Sequence, residues 1–337
     1  MFRNYLKIAF RNLVRDRFYS FLNITGLSVG IAAAMLIILY IADEISYDHF
    51  LKDKERIYRV ATMGKFGDQN MMNVAVSPAP LAEGFRNSIP EVENTVRLNR
   101  TQLIVHHHGE TLKEEMVFFA DSTFFDIFSF GLLQGDPHTV LTEPNSLVVT
   151  RETAIKYFGR DSVENGKALG ELIRSGKNAY KITGITADIP YNSHLDFDLL
   201  ISMSTNPDAL NPIWISMNYY TYIKLRPGTD IRALDDKFRD IIIKNVVPQV
   251  VQYLHMPESI FSRENMDEQL RYYLQPVSEI HLHSNLYAEM HPNGNILYIR
   301  IFGVIAIFII LIACINFINL ATARSMRRAK EVGVRKT

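Results

Sequence analysis

Cysteine and tryptophan are almost absent: the 337 residues include one of each, Cys314 and Trp214. A lone cysteine excludes an internal disulfide, so any part of the chain in an oxidising compartment is held by packing alone. An excess of one charge is also missing, with 36 Lys plus Arg against 36 Asp plus Glu. That balance argues against a nucleic-acid partner, which needs a basic footprint. A phosphate-binding loop is lacking too. The nearest approach, Gly166-Lys167, is followed by Ala168 where a hydroxyl would have to reach magnesium, and Asp161 stands where the upstream glycine belongs. Neither G-x-S-x-G nor H-E-x-x-H occurs, and no acid pair sits in a cleft pattern. Two histidine groups, His106-His107-His108 and His281-x-His283, are metal suspects. On a strand successive side chains point to opposite faces, and no Cys or acidic cluster is at hand to complete a shell. Both groups therefore read as solvated strand residues. The expectation is no catalytic residue, no metal and no cofactor.

Long apolar runs, by contrast, are present twice. Residues 18–42 and 301–323 carry no charge. At about 1.5 Å of rise per residue each exceeds the ~30 Å of hydrocarbon in a bilayer. The first run is longer than a secretory h-region, and its small-residue stretch Ala32-Ala33-Ala34 lies mid-run, so it reads as a retained anchor. Charge is placed unevenly around the two runs. Arg3, Lys7, Arg11, Arg15 and Arg17 precede the first, whereas Arg324, Arg327, Arg328, Lys330, Arg335 and Lys336 follow the second. The positive-inside rule then puts both termini in the cytoplasm and the intervening chain outside.

Residues 1–17 read as an amphipathic interfacial helix, with Phe2, Tyr5, Leu6, Ala9, Phe10 and Leu13 on one face and cations opposite, suited to anionic lipid. Within the first run Gly26 and Gly30 form a G-x-x-x-G, and within the second Asn316 and Asn319 lie near one face. Small and hydrogen-bonding residues let helices approach closely in lipid, so these four are candidates for helix packing.

Residues 43–298 read as one extracytoplasmic mixed α/β domain. Strands are expected over 56–62, 95–100, 180–186, 195–201 and 219–225, and a hairpin over 102–107 and 112–120. Helices are expected over 80–88, over 151–158 with Gly159 as C-cap, and over 231–246. A β-α-β order at both ends suggests an open sheet with helices on one face, and an inserted subdomain over about 124–204.

The tail Glu331-Val332-Gly333-Val334-Arg335-Lys336 sets a glycine among small apolar residues and flanking charges, a compact surface for docking. RRAKEVGVRKT resembles the segment R-x-K-E-[IV]-G-[IV]-R-K that follows the second span in FtsX-like and MacB-type permease subunits of bacterial ABC transporters. FFDIFSFGLLQGDP, NSLVVTRETAIKYFG, YKITGITADIPYNSHLDFD, YYTYIKLRPGTD and IACINFINLATARS resemble further signatures of that family, in order along essentially the whole chain.

The resemblance implies an α+β membrane protein in which two transmembrane helices flank a periplasmic domain with a ferredoxin-like porter part and a smaller insert. It implies a cell inner membrane location and a role in transmitting ATP-driven motion rather than catalysing a reaction. Residues 324–337 would be a cytoplasmic coupling segment, with Arg328, Lys330, Glu331, Val332, Gly333, Val334 and Arg335 gripped by a separate ATPase subunit. The implied partners are that ATPase, a second permease subunit, membrane lipid and a periplasmic adaptor or substrate. Family members continue into at least two more spans beyond this segment, so the chain reads as a fragment of a longer permease. The alternative expectation is a two-span sensor with an extracytoplasmic ligand-binding domain.

Overall fold

The computed structural model describes residues 11, 14, 17–65, 71–107, 110–263 and 265–334, with backbone alone at 19, 107, 110, 320, 321 and 323–334. Its main elements in chain order are α1 (Arg17–Ile45), β1 (Ile57–Gly64), β2 (Met72–Val74), β3 (Ser77–Pro78), α2 (Leu81–Ser88), β4 (Val92–His107), β5 (Glu110–Ala120), β6 (Leu132–Gln134), β7 (Ser146–Thr150), α3 (Arg151–Phe158), β8 (Leu172–Ser175), β9 (Asn178–Thr186), β10 (Leu199–Ser202), β11 (Met217–Leu225), α4 (Asp235–Ile241), α5 (Val247–Leu254), β12 (Leu270–Pro276) and α6 (Ile296–Val334). The chain divides into two units, residues 47–294 and the flanking stretches 1–46 and 295–337.

In the larger unit the strands join in the order β12-β1-β11-β4-β5-β10-β7-β9-β6. The first four are all antiparallel. With α2 between β1 and β4 and α4–α5 between β11 and β12, they form the β-α-β-β-α-β ferredoxin-like unit. Everything from β5 to β10 lies between its second and third strands, which is the insert. Parallel strand pairs lie within that insert's part of the sheet, β5 with β10 (Leu199 opposite Val117) and β7 with β9 (Leu147 opposite Ile182), and a single isolated parallel bridge, Val74 to Tyr287, lies outside it among the described residues. The β7–β9 pair brackets α3, as a parallel crossover requires. The Thr150 side chain accepts from the Thr153 amide to start α3, and Gly159, at φ 77°, ends it in a conformation a β-carbon would strain.

Side chains alternate across β1. Tyr58 and Val60 join Phe85 of α2, Phe238 of α4 and Tyr272 of β12 on one face, where Phe85 and Phe238 stack at 4.7 Å. Ile57 faces the opposite side with Tyr222, beneath an aromatic cluster of Phe124, Phe128, Phe130 and Phe197. Both faces are thus covered, one by helices and the other by the FFDIFSF stretch with Leu51, Val277 and Ile280. Each of those aromatic rings is buried, and deleting one would cost about 3–5 kcal/mol.

Three local expectations change. The segments 95–100 and 102–107 are one strand, β4, its register shifting between Thr101 and Leu103, so a bulge and not a turn separates them. Of the segment 195–201 only β10 is hydrogen-bonded as strand. The helix expected over 231–246 runs on past Pro248 to Leu254 through a π-helical turn, Ile242–Val246. Proline has no N–H to give and its ring crowds the carbonyl four residues back, and a loosened turn lets the helix pass it.

The smaller unit is an antiparallel pair, α1 and α6. Ser20–Ile45 and Ile296–Asn319 are long and apolar enough to cross a membrane, with mean hydropathies of 2.3 and 3.0. Most of their large apolar side chains, Phe18, Leu36, Ile307 and Phe308 among them, point outward. That is the inverse of a soluble core and suits a lipid surrounding.

Candidate functional site

The close approach of α1 to α6 depends on small residues. A β-carbon added at Gly30 would lie 2.8 Å from the Ala313 β-carbon, and one at Gly26 would lie 3.1 Å from Asn316 Nδ2. Ala34, Ala306 and Ala313 are buried in the same seam. Gly26, Gly30 and Ala34 recur every fourth residue, so they share one face of α1. The structure therefore brings Gly26 against Asn316 and Gly30 against Ala313, and the side chains of Asn316 and Asn319 are both otherwise largely exposed. Cys314 is exposed as well. Arg328, Lys330, Glu331, Val332, Gly333 and Val334 lie on the unbroken backbone of α6, and Arg335 lies outside the described residues. Residues 1–10, 12, 13, 15 and 16 of the expected interfacial helix also lie outside them.

Two buried polar clamps that the sequence did not announce hold the ends of the larger unit. At its N-terminal end, Asp48 follows Ile45 of α1 by three residues and is fully buried. Its amide donates to the Asn192 carbonyl at 2.9 Å, and its Oδ1 accepts from the His194 amide at 3.1 Å. Asp48 Oδ1 also lies 2.8 Å from His194 Nδ1, a short contact without hydrogen-bond alignment. Nε2 of His194 is 3.0 Å from the hydroxyl of Tyr222, at the centre of β11. Burial raises that phenol well above its ordinary pKa, so it stays protonated.

At the C-terminal end, Glu289 precedes α6 by seven residues and pairs with Arg59 of β1. Arg59 is 1% exposed. It donates from Nη1 to Glu289 Oε2 at 2.5 Å and from Nη2 to Glu289 Oε1 at 2.9 Å, to Gln275 Oε1 at 2.7 Å and to Ser284 Oγ at 2.8 Å. The Ser284 hydroxyl donates to Glu289 as well. Burial opposes charge on both partners. The Arg59 hydrogen bonds and charge outweigh it at Glu289, lowering that carboxyl's pKa, and Glu289 in turn raises that of Arg59. A bidentate pair of this kind fixes direction as well as distance.

Both clamps are reached through left-handed backbone, Asp48 and Ala288 each at φ 60°. Alanine there is held against its own preference, as strained residues at functional positions often are. β1 and β11, the strands that carry Arg59 and Tyr222, are neighbours in the centre of the porter sheet. A third pair, Arg97 of β4 with Asp121 after β5, is bidentate at 2.9 Å for both bonds and joins the porter part to the insert.

The histidine groups fall differently from expectation. His106 is exposed on β4, its ring 3.0 Å from Thr111 Oγ1, while the His107 side chain and His108 lie outside the described residues. His281 and His283 are not on a strand but on a helical turn, Ile280–His283, where His283 is exposed and His281 is buried, stacked on Tyr47 at 3.4 Å.

A family model for the MacB-like periplasmic core domain matches residues 20–241. The chain belongs to that family. It is an ABC-type transporter permease of the MacB type, with a periplasmic core domain and two apolar helices that suit an inner membrane. Among solved structures it is similar to a domain of a Porphyromonas gingivalis protein provisionally described as a permease, at 22% identity and a TM-score of 0.54, over 74% of this chain and 98% of that one. It is also similar to the periplasmic region of MacB from Actinobacillus actinomycetemcomitans, at 11% identity and a TM-score of 0.42, over 67% of this chain and 90% of that one. A third similarity is to the extracellular domain of the noncanonic ABC-type transporter YknZ from Gram-positive bacteria, at 12% identity and a TM-score of 0.39, over 65% of this chain and 99% of that one. The comparison with curated proteins gives no match.

Proposed function

We propose that this chain is the transmembrane subunit, or the N-terminal part of one, through which a separate cytoplasmic ATPase drives conformational change in the periplasmic domain. The observation that supports this most is the pair of clamps. Where the chain leaves α1 and where it approaches α6, a buried charged side chain is tied to a central strand of the porter sheet. A displacement arriving along either helix then pulls on β1 or β11 rather than being lost in a slack linker.

In this reading both termini are cytoplasmic and α6 carries the motion inward to outward as one continuous helix. Arg328, Lys330, Glu331, Val332, Gly333, Val334 and Arg335 meet the ATPase. The Gly26, Gly30 and Asn316 seam keeps α1 and α6 moving together, and their outward apolar faces meet lipid and a second permease subunit. A periplasmic adaptor or substrate receives the movement. The chain itself supplies no reacting group and needs no cofactor. Catalysis belongs to the partner.

The test is Gly333→Trp in the complete permease, assayed by complementation of a strain lacking it. ATPase-dependent function is abolished while the protein still inserts and accumulates normally. Undiminished function in that variant refutes the coupling role.

A further inference from the structure

Between the start of β12, the end of β1 and α5 lies a cavity of about 400 Å³. It is a cleft open to solvent, with exposed Lys65 and Leu254 among its lining residues. It falls within the range of small-molecule sites. Its floor is Val246, Val250, Phe261 and Leu270, all buried. Val246 closes the π-helical turn, so the loosened helix at Pro248 shapes this wall. Met217 and Met256, both half-buried, add flexible thioether side chains that adapt to a chain's shape.

Polar groups lie apart from that floor. Lys65 is exposed and is the only charged residue lining the cavity among the described residues, and Gln269 lines it as well. The two residues are tied by the Lys65 amide, which donates to the Gln269 carbonyl at 2.8 Å. A peptide laid on this floor would leave its backbone groups unpaired, at a cost of several kcal/mol for each in an apolar setting. A ligand that fits is apolar along its length and carries one anionic, hydrogen-bond-accepting end.

We propose that this cavity binds the single alkyl chain of a fatty acid, with the carboxylate beside Lys65 and Gln269 and the chain over Val250 and Leu270. The inference does not depend on the coupling role.

The test uses the full chain in membranes, irradiated with a palmitic acid analogue carrying a diazirine in its chain and mapped by mass spectrometry. Labelling of α1 and α6 in the same sample is the internal standard, since lipid-facing helices take up the probe regardless. Peptides containing Val250 and Leu270 are expected to be labelled. Val250→Trp and, at the exposed rim, Leu254→Arg each remove that labelling and leave the standard unchanged; Leu254→Arg decides if Val250→Trp fails to fold. Lys65→Ala lowers labelling by the acid about fivefold, the upper end for a solvent-facing ion pair, and leaves labelling by the methyl ester of the same probe unchanged. Labelling confined to α1 and α6, labelling that survives Leu254→Arg, or an ester and an acid that respond alike to Lys65→Ala overturns the proposal.

Discussion

The two units of this chain solve opposite packing problems. The larger one hides rings on both faces of its sheet and ties its ends with buried charges, as a domain in water does. The helix pair turns its large apolar groups outward and puts glycine and alanine where the helices touch. Water drives the first arrangement through apolar burial. In lipid that drive is gone, and close contact between small residues takes its place. The lesson is that polar clamps and small-residue seams are each expensive to disturb in one setting only, and each can be attacked separately.

The largest effect is expected at the C-terminal clamp. Arg59→Met leaves Glu289 charged, buried and unpaired, and costs about 3–5 kcal/mol of domain stability. The double change Arg59→Met with Glu289→Leu removes both charges and costs far less, so a double-mutant cycle by denaturant unfolding reads a strong coupling. Additive costs would show that the pair is two independent groups.

Acid probes the same clamp without mutation. The folded-state pKa of Glu289 lies below its ordinary value, so its pairing contributes fully above the usual carboxylate range near ~4.3. That contribution is lost as pH falls through the lower folded value. Unfolding measured against pH therefore shows a steeper acid limb in the wild type than in Arg59→Met with Glu289→Leu. Identical limbs would remove Glu289 from the account.

A smaller effect, confined to the other unit, is expected at the seam. Gly30→Leu places a large side chain where even a β-carbon meets Ala313 at 2.8 Å, and overpacking of this kind costs about 1–3 kcal/mol. Cross-linking between cysteines placed on α1 and α6 drops, while the periplasmic domain keeps its unfolding midpoint. A shifted midpoint would mean that the units are not separable in this way.

Much of the architecture was legible because it is periodic. The uncharged runs, the apolar and aromatic stretches of β1 and β11, the Gly159 stop and the ordered family signatures all leave local marks. Gly26, Gly30 and Asn316 were readable for the same reason, since a seam of small residues repeats at the helix period. The π-helical turn at Pro248 was hidden by the usual reading of proline as a stop. The clamps were hidden more deeply. Asp48 meets His194 across 146 residues of sequence and Arg59 meets Glu289 across 230, and no local pattern carries a long-range charge pair. One weak signal existed: Arg59 sits within an otherwise apolar strand core, where an isolated charge requires a partner.

The most direct measurement of the central claim is the sidedness of two engineered thiols in whole cells, with Cys314→Ala as background. A cysteine at Glu331→Cys should react with a membrane-impermeant maleimide only after the inner membrane is opened, whereas one at Lys113→Cys, exposed on β5, should react once the outer barrier alone is breached. Reaction of the position-331 thiol with the inner membrane intact would contradict the account, because a cytoplasmic motor could not then grip that end of α6.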